Sequence, residues 1–234
     1  MNTKNNNEGL YFYPNEHLSI SALKSFENCP WGFHARYYLG LKADEKDAVT
    51  FGKQFQDLLN AKYRRLDTEP LLEVFSKKQK GLAKLLLTKS YDFEDVISVD
   101  QPYKVDLGFG IPFMFVPDLL TKTTLVENKT TAGYYNSNMI KDEKQATVYY
   151  VGVRKEFGFT PEIKYQLFNT KDQSCQLLDS PRTGKDIDDL MDWIEATLKQ
   201  IEKCYNTGRW DTGKHKFCNY KNVCELQEIY GFQR

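Results

Sequence analysis

Ionisable side chains stand in this chain where the sequence otherwise reads as buried strand. Phe113-Met114-Phe115-Val116 and Leu125-Val126 are apolar runs, yet the first continues into Pro117-Asp118 and the second into Glu127-Asn128-Lys129. A carboxylate in such a place is costly unless something partners it. Alternate strand side chains share a face, so Leu125, Glu127 and Lys129 point the same way. If the run from Phe113 to Thr131 is a hairpin turning at Lys122-Thr123, Asp118 stands directly opposite Glu127, with Cβ atoms about 5 Å apart. The turn lacks the Asn-Gly or Asp-Gly pair that two-residue hairpins favour, so this register rests on the chemistry. Taken singly, a Pro-Asp strand end and a Glu-x-Lys alternation are ordinary surface patterns. Their apolar setting is what calls for a common partner.

Two carboxylates beside a lysine suit a hard divalent cation. Mg or Mn prefers carboxylate oxygens, keeps several waters, and binds through one or two acidic side chains plus a substrate phosphate. Such ions stabilise the attacking and leaving oxygens when a phosphodiester is cut. Further along, Gln145 and Tyr149 lie one helical turn apart and so share a face. The same spacing would also suit an ordinary amphipathic helix with Tyr149 in the core.

The order Asp118, Glu127-x-Lys129, Gln145-x-x-x-Tyr149 resembles the PD-(D/E)XK nuclease superfamily, in the branch of RecB-type and AddB-type nuclease domains and small CRISPR-associated RecB-like exonucleases. The resemblance runs from about Leu18 to Cys224. It includes the block from Leu18 to Pro30, similar to the serine-rich helix ending in Cys-Pro that opens these domains, and the aromatic and basic continuation from Trp31 to Leu41. It implies an α/β, restriction-endonuclease-like core with a mixed central β-sheet flanked by helices. It also implies that Asp118 and Glu127 hold Mg or Mn, that Lys129 activates water and stabilises charge, and that Gln145 and Tyr149 position substrate. Where the family often has Gly-x-x-x-His, this chain reads Gly52-Lys53-Gln54-Phe55-Gln56. Gln56 is then a weaker metal ligand through its carbonyl oxygen, or a residue that hydrogen-bonds neighbouring backbone.

The cysteines carry a second resemblance. Relatives place Cys-x-x-Cys-x5-Cys near the C-terminus, joined by the cysteine of the N-terminal Cys-Pro in a 4Fe-4S cluster. Here Cys29, Cys218 and Cys224 match and His215 replaces the remaining cysteine. Three cysteines and a histidine are also a structural Zn set, so the residues leave iron-sulfur and zinc both open. Cys204 is a rival ligand, although it extends the apolar helical stripe of Ile187, Leu190, Met191, Ile194, Leu198 and Ile201. Such a centre would join the first helix to the last segment. Five cysteines, an odd number, with this spacing suit a reducing compartment better than disulfides.

Met1 to Gly9 is polar, Asn-rich and expected to be disordered, and residues 10–234 are expected to form one nuclease domain whose tail, 203–234, binds metal. Helices are expected over Ser21 to Tyr38, Phe51 to Leu66, Leu71 to Lys89, Asp142 to Glu156 and Lys185 to Tyr205. Strands are expected over Val96 to Leu107, Ile111 to Leu120, Thr124 to Thr131, Ile163 to Thr170 and Ser174 to Leu178. No apolar run is long enough to span a bilayer. Lys and Arg total 32 and Asp and Glu 32, so net charge is zero; nucleic acid would be gripped by local patches and not by overall attraction. These readings converge on a metal-dependent DNA exonuclease acting on single strands or duplex ends. It would work in the cytoplasm of a bacterium, or as a bacteriophage protein there, with a recombination or CRISPR-associated partner. The alternative is a catalytically weakened DNA-binding adaptor with the same fold.

Overall fold

Cys29-Pro30 divides what the periodicity of Ser21 to Tyr38 reads as one helix. Proline lacks an N–H and drives the preceding residue out of the α region. Cys29 is accordingly extended (φ −161°, ψ 99°), closing α1 (Ile20–Asn28) and opening α2 (Pro30–Tyr37). The computed structural model describes residues 10–42, 47–133, 136–213, 220 and 224. The expected disorder of residues 1–9 and two candidate ligands, His215 and Cys218, lie outside the described residues. In chain order the other elements are α3 (Asp47–Tyr63), α4 (Glu69–Leu72), α5 (Lys77–Thr88), β1 (Val96–Val99), β2 (Tyr103–Val105), β3 (Phe113–Phe115), β4 (Leu119–Thr121), β5 (Thr124–Thr131), α6 (Ser137–Lys141), α7 (Lys144–Phe157), β6 (Glu162–Asn169), β7 (Ser174–Asp179) and α8 (Gly184–Thr207).

Local chemistry accounts for the breaks that periodicity misses. Pro102 separates β1 from β2 and Pro117 separates β3 from β4, since proline has no N–H for a ladder. Ser76 caps α5, its Oγ accepting from the N–H of Gln79, and so splits the expected Leu71 to Lys89 helix. Helix α7 stops at Gly158, whose φ of 75° is a left-handed cap.

The chain forms two compact units: Met1–Asp44 with Lys104–Met114 and Asp188–Arg234, and Glu45–Tyr103 with Phe115–Ile187. The second unit is built on a mixed five-stranded sheet in the order β1-β4-β5-β6-β7. Strands β4 and β5 are antiparallel with Leu119 facing Val126 and Leu120 facing Leu125, β5 and β6 are parallel, and α7 lies in the connection between them. Phe51, Phe55, Leu58 and Leu59 of α3 share a buried core with Val126 and Phe168. A Cβ at Gly52 would come 2.9 Å from Thr130 Oγ1, so glycine is what lets α3 approach β5 this closely. The mixed sheet with flanking helices is the architecture expected from the sequence.

In the first unit Leu18 bridges to Phe113, with the Leu18 N–H donating to the Pro112 carbonyl and the Met114 N–H to the Leu18 carbonyl. Trp31 and Ala35 of α2 pack with Tyr220 and Cys224, and Cys29 and Trp210 lie against them. The N-terminal helices and the described part of the tail therefore meet. Among the described residues no helix is long and apolar enough to cross a membrane.

Candidate active site

The register of β4 and β5, carried on by one pair, sets Asp118 opposite Glu127. The Oδ2 atom of Asp118 accepts the backbone N–H of Asn128 at 2.6 Å. On the other side β1 pairs with β4 through Val99 and Leu119, and its next residue, Asp100, comes beside Asp118, donating its N–H to the Asp118 carbonyl at 3.2 Å. Asp100 at the end of β1 and Asp118 at the start of β4 thus lie beside Glu127 within β5. Burial, the Glu127 carboxylate and, less strongly, Asp100 push the Asp118 carboxyl well above the usual carboxylate range, against the Asn128 N–H and the Lys129 charge.

Glu127 is 4% exposed. Its Oε1 accepts from Lys129 Nζ at 2.5 Å and from Gln145 Nε2 at 2.9 Å, while Oε2 is buried with no hydrogen-bond partner. Lys129 also reaches Gln145 Oε1 at 3.3 Å. Burial works against the Lys129 ammonium, but the adjacent Glu127 and Asp118 outweigh it and hold the amine protonated more firmly than usual. Gln145 Nε2 donates a second bond to the Tyr149 hydroxyl, which donates to the Val116 carbonyl at 2.7 Å. Burial and the two carboxylates keep Tyr149 in its neutral form by raising its pKa. Asp118, Glu127, Lys129, Gln145 and Tyr149 therefore form one connected group.

Gln56 occupies a different position. Its Nε2 donates to Asn60 Oδ1 at 2.9 Å, and Asn60 Nδ2 donates to Asp100 Oδ2 at 3.2 Å. With the nitrogen so engaged, the carbonyl oxygen is its one possible ligand atom. Asn60 and Asp100 were not singled out from sequence. The signal for Asp100 resembles the one that marks Asp118, a mostly apolar strand running into aspartate with a proline within two residues.

The donor set fits a divalent cation. Glu127 has a buried carboxylate oxygen without a partner and stands in register with Asp118, whose ionised form burial and like charge disfavour, and a cation would relieve both. Among the described residues no group of three or more His, Cys, Asp or Glu side chains is arranged to hold a metal. Two carboxylates suffice for Mg or Mn, which take their remaining ligands from water and phosphate. For the cysteine centre, Cys29 and Cys224 are brought into one small cluster. Cys29 Sγ accepts from the N–H groups of Gly32 and Gly213 at 3.2 and 3.3 Å. Cys204 is half-buried, its thiol pKa raised by burial and then by Asp211.

A solved structure from Eubacterium rectale, provisionally described as an exonuclease, superposes over 100% of this chain and 99% of its own with a TM-score of 0.66 at 11% identity, a likeness of fold. A second, SSO0001, aligns at 12% identity over 87% of this chain and 94% of its own, with a TM-score of 0.34, too low to bear on the argument. No curated protein matches the chain. The family model of the PD-(D/E)XK nuclease superfamily matches residues 17–225, and the chain belongs to that superfamily.

Proposed function

We propose that this protein is a Mg- or Mn-dependent deoxyribonuclease, an exonuclease acting on single-stranded DNA or duplex ends. The observation that carries the reading is Glu127: one carboxylate oxygen is held by Lys129 and Gln145, and the other is buried, unpartnered and across from Asp118. A bound Mg or Mn ion would be held by Asp118 and Glu127, with Gln56 as a further candidate, and would supply charge stabilisation for phosphodiester hydrolysis. Lys129 would orient or activate the attacking water and donate to a phosphate oxygen, stabilising its charge. Gln145 fixes Lys129 and Glu127 relative to each other, and Tyr149 fixes Gln145.

The test is digestion of end-labelled linear single- and double-stranded DNA and of closed circular DNA with Mn or Mg, wild type beside Glu127→Ala. Loss of linear DNA with wild type alone is the expected result. No cleavage with either metal by a folded wild type would move the reading to a DNA-binding adaptor, and equal cleavage by both proteins would remove Glu127 from the chemistry.

For the second centre the reading is a structural 4Fe-4S cluster or Zn held by Cys29, Cys218, Cys224 and His215, with Cys204 as rival. The shared cluster of Cys29 and Cys224 and the two N–H donors on Cys29 Sγ support it, since such hydrogen bonds stabilise metal-bound sulfur. Visible absorption and metal analysis of anaerobically purified protein distinguish iron from zinc. Cytoplasmic work in bacterial or phage recombination, repair or CRISPR-type processing belongs to the same proposal.

A further inference from the structure

Helix α7 delivers Gln145 to the site, yet it begins without a side-chain cap: Glu143 occupies the N-cap position and makes no capping hydrogen bond. What fastens the preceding turn comes from elsewhere in the chain. Arg182, in the segment between β7 and α8, is 9% exposed. Its Nη1 donates to the Lys141 carbonyl at 2.5 Å, and its Nη2 donates to the carbonyls of Ile140 at 3.0 Å and Glu143 at 3.4 Å. Nη2 also donates to Ser180 Oγ at 2.7 Å, which ties the guanidinium to its own loop. These carbonyls belong to the last turn of α6 and the entry of α7, immediately before Lys144 and Gln145.

A buried guanidinium is an expensive fastener. Burial lowers the Arg182 pKa, and Nε is left without a partner. A planar fork reaches several of these carbonyls at once in a fixed geometry, which the compact ammonium of lysine matches less well. The end of α6 also offers carbonyl dipoles that a cation complements. An apolar side chain would fill this position at lower desolvation cost if packing were all that was needed.

We infer that Arg182 is a positioning residue for the nuclease centre, holding the entry of α7 so that Gln145 bridges Glu127 and Lys129. The inference rests on the reading of that centre as the site of hydrolysis. The hydrogen bonds of Arg182 go to Ile140, Lys141, Glu143 and Ser180 and not to Glu127 or Lys129; it acts through Gln145, so its effect on turnover requires that Gln145 be present.

The experiment compares wild type, Arg182→Lys, Arg182→Met, Gln145→Ala and the Arg182→Met/Gln145→Ala double variant in steady-state cleavage of linear DNA with Mn. Hydrogen exchange at the amides of residues 145–149 and thermal melting are measured in parallel. Arg182→Met is expected to lower kcat about tenfold with KM little changed, as removal of outer-shell support commonly does. Arg182→Lys is expected to fall between it and wild type. In the Gln145→Ala background Arg182→Met should cost no further kcat, although the melting temperature still falls. Multiplicative losses of kcat, or an unchanged kcat in Arg182→Met, would overturn the proposal. A wild type that cuts no DNA would sink the nuclease reading instead. Faster exchange at 145–149 beyond the change in global stability would still uphold the clamp, and unchanged exchange would end it.

Discussion

Asp118 Oδ2 and the backbone N–H of Asn128 lie 2.6 Å apart, so the acid that precedes β4 is tied directly to the strand that carries Glu127 and Lys129. The Asp118 carboxylate is thereby set against the main chain of β5, while that of Glu127 is held by Lys129 and Gln145. The position carries a cost: burial first, and then the Glu127 charge, raise the Asp118 pKa, and the Asn128 N–H offsets them only in part.

That cost should be measurable. Burial and the Glu127 charge favour protonated Asp118 in the folded state, so its contribution to stability is present at low pH and is lost as pH rises through the folded pKa. Asp118→Asn is therefore expected to stabilise the metal-free protein at neutral pH, by about 1 kcal/mol, while abolishing cleavage. Urea unfolding of both proteins from pH 5 to pH 8 checks this; a gap that shrinks as pH rises would contradict the assigned cause.

The same proton competes with metal. Binding of Mn by Asp118 and Glu127 requires both carboxylates ionised, so metal affinity should climb with pH through the range in which Asp118 loses its proton. Mn is expected to raise the melting temperature more at pH 8 than at pH 6, and to raise that of Asp118→Asn little at either. Differential scanning calorimetry at several Mn concentrations reads this directly.

Tyr149 links Gln145 to the Val116 carbonyl. Tyr149→Phe removes the hydroxyl, leaving that carbonyl unpaired at a cost of about 1–3 kcal/mol, and frees the Gln145 amide. Cleavage should fall about tenfold, in keeping with lost outer-shell support. Kinetics of the folded variant decide, and undiminished kcat would remove Tyr149 from the site's machinery.

Gly152 is the contact point of α7 with Phe115. A Cβ there would lie 2.6 Å from Phe115 Cε1, and the Phe115 ring is hemmed in by Tyr103 and Tyr149 at centroid distances of 5.5 and 6.1 Å. Gly152→Ala must displace the helix or the ring, a strain of about 1–3 kcal/mol. Lower stability together with lower kcat is expected; a melting temperature equal to wild type would show that Phe115 can yield.

The parts of the site that lie close together in sequence were legible there. Charges interrupting apolar strands marked Asp118 and Glu127, period-2 alternation put Glu127 beside Lys129, and one helical turn joined Gln145 to Tyr149. Pairings across long stretches of chain were not. Gln166, fully buried, donates to Tyr63 and Asn128 and accepts from the Tyr91 N–H, a network behind the strand that no local pattern announces. Arg182 carries no local signal either, because its acceptors are mostly backbone carbonyls, which leave no mark in sequence. The long expected helices and strands failed at Cys29-Pro30, Pro102 and Pro117, where the apolar rhythm continues through a residue that cannot continue the hydrogen bonding.

Strand β5 has a neighbour on each edge, β4 and β6, and a crowded face against α3 at Gly52. A slip of a single residue would exchange Glu127 and Lys129 for Asn128 on the reactive side and would have to break two ladders at once. Strand β5 is consequently locked in place from three sides, and if it is the reactive strand, adaptation to a new substrate would fall to the helices and loops around it.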